Sequence, residues 1–232
     1  MMRIEQESTL ALELQRRVLR GDAAPAAFQR PYVWTEKEVE ALWASILMGL
    51  PIGAFLLWRP ESGARAARML GPVELEPSHH AALVLDGQNR LASLAWSATD
   101  PDAEVPEASS GKALWRNGRH LVADTHERRV VFVDAEVARA DRWLVPVHVI
   151  GHGLQMALRD IWDGDKDDLH RVDWLDDLEN RLRQSRVMVT TIQANEQDAR
   201  RAYMLMASAG VPMSAQDFDA ALAGSRTEDA HE

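Results

Sequence analysis

Asp86-Gly87-Gln88-Asn89-Arg90 gathers a carboxylate, two amides and a guanidinium within five residues. Asp86 offers a ligand for a metal, a water or a ribose hydroxyl. Arg90, one turn further on, offers a fixed positive fork suited to phosphate. The flanking residues position these groups. Ala82-Leu83-Val84-Leu85 is an apolar run ending at Asp86, and beyond Gly87 the apolar residues recur at Leu91, Leu94, Ala95 and Ala98. The first pattern predicts a buried strand and the second a helix, with the chain turning on Gly87 between them. Such a junction aims unpaired backbone N–H groups and the positive end of a helix dipole at one point, which makes an anion site. The simpler reading is an Asp-Gly turn with Arg90 on the surface, but a two-residue hairpin needs a second strand and the sequel here is helical. Asp86 as metal ligand and Asp86 as helix cap require the same residue in the same place, and both readings stand.

The elements around this junction follow from spacing and punctuation. Ser8 is a candidate cap for a helix over Thr9 to Leu19 that Gly21 ends, and Asp22 to Ala27 reads as an Ala/Pro linker. Thr35 and Glu38 have the spacing of a capping box, and Trp34 with Val39 that of a hydrophobic staple. The helix they open carries Val39, Leu42, Trp43, Ile46 and Leu47 on one face and closes at Gly49. Ile52 to Trp58 predicts a buried strand, and Pro60 to Pro77 a polar loop with a short strand at Arg68–Leu70. Asn117-Gly118 predicts a hairpin turn between Leu114-Trp115-Arg116 and His120-Leu121-Val122. Further strands are expected at Arg128 to Asp134 and Trp143 to Ile150, the latter at an edge because of Pro146. Beyond Leu154 the spacing turns helical through Ile161 and again from Val172 to Leu182. A strand at Arg186 to Ile192 and a helix from Asn195 to about Ala207 follow. Ser214 with Asp217 opens a last helix, and 224–232 reads as a tail. The fold class is α+β, with strands concentrated before residue 150 and helices after it.

Other constellations carry less. His148 and His152 are four apart, the helical zinc spacing, but Gly151 and the strand-like Val147–Ile150 oppose a helix there. Asp163, Asp165 and Asp167 have the look of a calcium loop, yet Asp168 and Trp174 stand where it needs glycine and glutamate. No nucleophile elbow or Walker loop is present. The tryptophans and Met204, Met206 and Met213 read as packing.

Composition bounds the partners. The chain has 232 residues, 46% of them hydrophobic, so it can bury a substantial core. The absence of cysteine excludes disulfides and thiolate metal sites. Without a long apolar run or an apolar N-terminal region, a cytoplasmic protein with no membrane segment is expected. The formal net charge of −10 opposes DNA binding by the chain alone, because phosphate-backbone affinity comes from clustered cations. Lysine occurs only at Lys37, Lys112 and Lys166, so arginine carries nearly all the positive charge.

Two motifs, with a short segment between them, resemble a known family in this order. Phe28-Gln29-Arg30-Pro31-Tyr32-Val33-Trp34, then Pro51-Ile52-Gly53, then Leu85 to Leu91 are similar to the QRxYxW segment, small-residue strand start and DGQQR motif of the N-terminal domain of GmrSD-type restriction endonucleases. That family is a branch of the ParB/sulfiredoxin-like fold, which implies a mixed sheet with surrounding helices and a helix-rich C-terminal part. The implied layout is a nucleotide-binding core over 1–150, a helical part over 151–223 and a tail over 224–232. The implied activity is nucleoside-triphosphate (NTP) binding and magnesium-dependent hydrolysis, in phage defence or restriction of modified DNA, with a separate effector or nuclease chain as partner. By the same resemblance Asp86 holds magnesium or polarises water, Gln88 orients that water and Arg90 binds phosphate. Gly87 and Asn89 complete the phosphate loop, Gln29 and Arg30 close on it, and Tyr32 or Trp34 lies beside the base or in the core. The departures are Asn89 for the second glutamine, Ala207 for an asparagine in the downstream segment Tyr203–Met213, where Gly210 is kept, and no HNH-like domain. They motivate the alternative of a degenerate interaction module without turnover.

Overall fold

A computed structural model describes residues 2–28, 32–61, 66–79, 81–104 and 118–208. Residues Met1–Glu196 form one compact unit and Gln197–Glu232 a second. The first unit is built on a five-stranded mixed sheet. Its strands are β1 (Arg3–Leu10), β2 (Ala23–Pro25), β3 (Ala54–Pro60), β6 (Ala82–Asp86) and β10 (Arg186–Ala194), in the order β1-β10-β3-β6-β2. Strand β10 runs antiparallel to β1 and parallel to β3, while β6 runs antiparallel to β3 and parallel to β2. A hairpin of β4 (Met69–Leu70) and β5 (Val73–Glu74) and an antiparallel sheet β8-β7-β9 (Arg129–Asp134, Arg119–Asp124, Leu144–Pro146) complete the described strands. The helices are α1 (Ala11–Leu19), α2 (Glu36–Leu47), α3 (Gln88–Ser97), α4 (Ala135–Ala140), α5 (Leu154–Ile161), α6 (Leu169–Gln184) and α7 (Glu196–Ser208), the last crossing into the second unit. The fold is α+β.

Alternation along the central strands divides the core. Phe55 and Leu57 of β3, Val84 of β6, and Val187 and Val189 of β10 join one large cluster with Leu14, Trp43, Leu91, Leu154 and Leu178 of the helices. Leu56, Trp58, Leu83 and Leu85 on the opposite face are buried as well. A strand buried on both faces reads as an unbroken apolar run, as β3 and β6 do.

Several expectations hold closely. Glu38 accepts the Thr35 backbone N–H at 2.7 Å, and the helix it caps buries Val39, Leu42, Trp43 and Ile46. The Thr35 hydroxyl and N–H hold the Glu38 carboxyl below its ordinary pKa. Gly49 beyond this helix takes φ +69°. Strand β9 lies at a sheet edge, as Pro146 requires.

Others are corrected. The N-terminal segment is strand through Leu10, Ser8 pairs with Met188, and α1 starts at Ala11 with no side-chain cap. All of β1 is exposed or half-exposed, so no apolar face marks it as a strand. The Asp22–Ala27 linker contains β2, whose Ala23, Ala24 and Pro25 are all buried beside β6. Trp143–Ile150 is strand only at Leu144–Pro146, and Val147–Val149 tightens into a 3-10 turn. The expected strand over Leu114-Trp115-Arg116 with Asn117 of its turn, the helix from Ser214 and the 224–232 tail lie outside the described residues. No described helix is long and apolar enough to cross a membrane.

Candidate functional site

Strand β6 is buried as far as Leu85 and delivers Asp86 to the surface, its carboxylate about half exposed. Gly87 then takes φ +91°, a conformation that only glycine adopts readily, and α3 begins at once. A Cβ at Gly87 would fall 2.4 Å from the Phe55 ring, so the turn sits directly on β3. In any α-helix the first-turn N–H groups lack intrahelical partners. Here no side chain caps them, so Gln88, Asn89 and Arg90 direct unspent donors past the Gly87 turn. Asp86 therefore does not act as the cap of α3.

Arg90 turns back toward β3. Its Nη1 donates to the Ile52 carbonyl at 2.9 Å, and its Nη2 to the Ala54 carbonyl at 2.8 Å and to Asp86 at 3.3 Å. The guanidinium lies 4.8 Å from the centre of the Phe55 ring. Burial pushes the Arg90 pKa down and the Asp86 carboxylate pushes it back up. Gly53 makes this fit sterically feasible, because a Cβ there would meet Arg90 Nη1 at 1.8 Å. Gly53 and Phe55 thus belong to the site, although sequence reasoning did not name them as such. The signal available was Pro51-Ile52-Gly53 ahead of an apolar strand; its link to Arg90 is tertiary.

The aromatic segment reaches the same helix. The Val33 N–H donates to Asn89 Oδ1 at 3.3 Å. The Tyr32 hydroxyl shares a hydrogen bond with Ser93 Oγ at 2.9 Å, and Ser93 Oγ also donates to the Asn89 carbonyl at 2.9 Å. Tyr32 is 4% exposed, and desolvation raises its pKa well above the ordinary tyrosine value, so it stays neutral. Trp34 packs half-buried against the main cluster. Gln29 and Arg30 lie outside the described residues. Gln88 is left with a buried Oε1 that has no hydrogen-bond partner among the described residues, a condition that a ligand or water donor would relieve.

As for a metal, the described residues contain no cluster of three or more His, Cys, Asp or Glu able to hold one. Asp86 is the one predicted ligand at the turn. That fits magnesium, which keeps most of its waters and takes one or two carboxylates together with phosphate oxygens. His148 sits in the 3-10 turn and His152 beyond it, in no such cluster. Carboxylates of the Asp163–Asp167 loop are already engaged: Asp163 pairs with Arg142 at 3.0 Å, and Asp165 accepts the Asp167 N–H at 2.9 Å. Downstream, Tyr203 and Ala207 fall on α7, and Gly210 and Met213 lie outside the described residues.

Comparison with known proteins bears on the same segments. An uncharacterized protein of Methanocaldococcus jannaschii is 30% identical over 138 residues, covering 56% of this chain and 23% of the archaeal protein. The matched region is thus about a quarter of that relative's length. The sequence profile described as GmrSD restriction endonuclease, N-terminal domain, matches residues 20–222, from the end of α1 past the end of α7. The chain therefore belongs to the GmrSD restriction endonuclease N-terminal domain family.

Proposed function

We propose that this chain is the nucleotide-responsive domain of a restriction or phage-defence system, acting with a nuclease on a separate chain or domain. The observation that carries the reading is the uncapped start of α3 at Gly87, with three backbone donors and the orphaned Gln88 Oε1 directly after the half-exposed Asp86 in the chain. Phosphates of an NTP would receive the N–H groups of Gln88 and Asn89 and the helix dipole. Asp86 would hold a magnesium ion, whose chemistry here is to neutralise phosphate charge. Gln88 Oε1 accepts a hydrogen bond, so its partner is a water or hydroxyl and not a phosphate oxygen. It would orient the water that attacks the γ-phosphorus. Arg90 fixes the Pro51–Ala54 segment and keeps its remaining N–H donors for the phosphates. Catalysis of this kind rests on positioning and charge stabilisation.

A second reading, binding without turnover, is favoured by two contacts. The Asn89 amide oxygen is engaged by Val33, and both terminal nitrogens of Arg90 are engaged by backbone carbonyls, which leaves few groups for chemistry. Phosphate release from ATP, GTP, CTP and UTP with magnesium decides between the two. Turnover of one nucleotide, abolished in Asp86→Ala and in Gln88→Ala, is the expected result. Binding without release would assign the chain to sensing, and no binding of any of the four would remove the nucleotide reading.

A further inference from the structure

Between the end of α2 and the C-terminal half of α6 lies an open cavity of about 720 Å³. One wall is Leu50 and Pro51. The other is a single stripe of α6, Asp177, Asn180, Arg181 and Gln184, with Arg186 from the start of β10. Gly49 takes φ +69° at the rim, with Arg181 Nη1 3.8 Å from the point where a Cβ would sit.

The two arginines are unusual in a chain of net charge −10. Nearby Arg16, Arg17 and Arg183 pair with Glu13, Glu7 and Glu179. Arg186 donates only to the neutral Ser8, to Oγ at 3.1 Å and to the carbonyl at 3.2 Å, and Arg181 has no ion pair among the described residues. Two guanidiniums without carboxylates beside one acid, two amides and an apolar wall make up the recognition set of a phosphorylated nucleoside. The volume falls within the range of small-molecule sites, about 300–1,000 Å³.

We propose that this cavity is a second nucleotide site, separate from the start of α3. Arg181 and Arg186 take the phosphates, Asp177 accepts the ribose hydroxyls, Asn180 and Gln184 read the edge of the base, and its face lies on Leu50 and Pro51. The wall runs straight into Ile52 and Ala54, whose carbonyls hold Arg90. A ligand in the cavity therefore bears on the segment that positions the α3 site.

The test is calorimetric titration of the chain with ATP, GTP, CTP and UTP in turn, with magnesium, in wild type, Arg181→Glu and Asp86→Ala. Arg181 makes no side-chain hydrogen bond or ion pair among the described residues, so reversing its charge is expected to leave the fold intact, which circular dichroism checks. The expected result is two equivalents of one nucleotide in wild type, with Arg181→Glu removing one and Asp86→Ala the other. A single equivalent that survives Arg181→Glu and is lost in Asp86→Ala overturns the cavity and leaves the α3 site standing. A single equivalent with the opposite pattern supports the cavity and removes the α3 site, and no binding of any nucleotide removes both. Base-free triphosphate, added as a competitor, is expected to displace the cavity ligand at least about tenfold less effectively than the nucleotide itself, a difference of ~1.4 kcal/mol.

Discussion

At the scale of single residues, the site depends on two glycines and one arginine acting together. Gly87→Ala forces a left-handed backbone on alanine and drives a methyl into Phe55, so a loss of at least about 2 kcal/mol in urea unfolding is expected. Arg90→Lys discriminates between roles. A lysine keeps the charge but presents a single ammonium in place of a fork, and cannot reproduce the bridge to Ile52 and Ala54. The variant is expected to be less stable by about 1–3 kcal/mol, read from the same unfolding curves. Undiminished stability in Arg90→Lys would instead mean that the bridge contributes nothing to the fold. Sequence reading placed Asp86, Gly87, Gln88 and Arg90 at a strand–turn–helix junction because each of those elements leaves a local trace. It missed Gly53 and Phe55 because their part comes from side-chain packing between β3 and α3, some 35 residues apart in the chain. Asn89 gains a structural explanation for being the shorter amide: its Oδ1 tethers Val33.

At the scale of elements, legibility tracks burial. Helix α2 was readable because its cap and its apolar face are both written locally in Thr35, Glu38, Val39, Leu42, Trp43 and Ile46. Thr35→Ala is accordingly expected to cost about 1 kcal/mol, checked by the shift of the thermal midpoint. Strand β1 was unreadable for the opposite reason. Arg3, Glu5 and Glu7 alternate with Ile4 and Gln6, but neither set is buried, so the period of two carries no hydrophobic signal. Its hydrogen bonds come from β10, which no local pattern announces. Strand β2 is three residues long and includes a proline, which looks like a linker until β6 is beside it.

At the scale of the whole molecule, two histidines contribute to the response to acid, the half-buried His148 and the exposed His152. Desolvation lowers the His148 pKa from its ordinary value of 6.5, with Asp100 and Asp102 opposing and His120 reinforcing. Desolvation lowers that of His152 too, with Arg16 and Arg183 adding to it. The unfolded chain takes up these protons near 6.5 while the folded chain resists them. Their contribution to stability is therefore level above that pH and falls as pH drops below it. His148→Asn is expected to flatten part of this fall, measured as thermal midpoint against pH from 8 to 5.

Strand order carries a consequence for how the molecule assembles. Among the described strands β1 pairs with β10 alone, so Gln6 lies opposite Thr190 across nearly the full length of the unit. A growing chain that has left the ribosome as far as α6 holds β3, β6 and β2 but has nothing to bridge them to β1. The sheet closes only when residues 186–194 slide between two strands already present, a late and entropically expensive step. Until then the edge of β3 that β10 will take exposes unpaired backbone N–H and C=O groups, and the arrival of β10, which also brings Arg186 to the cavity wall, completes both the sheet and that wall at once.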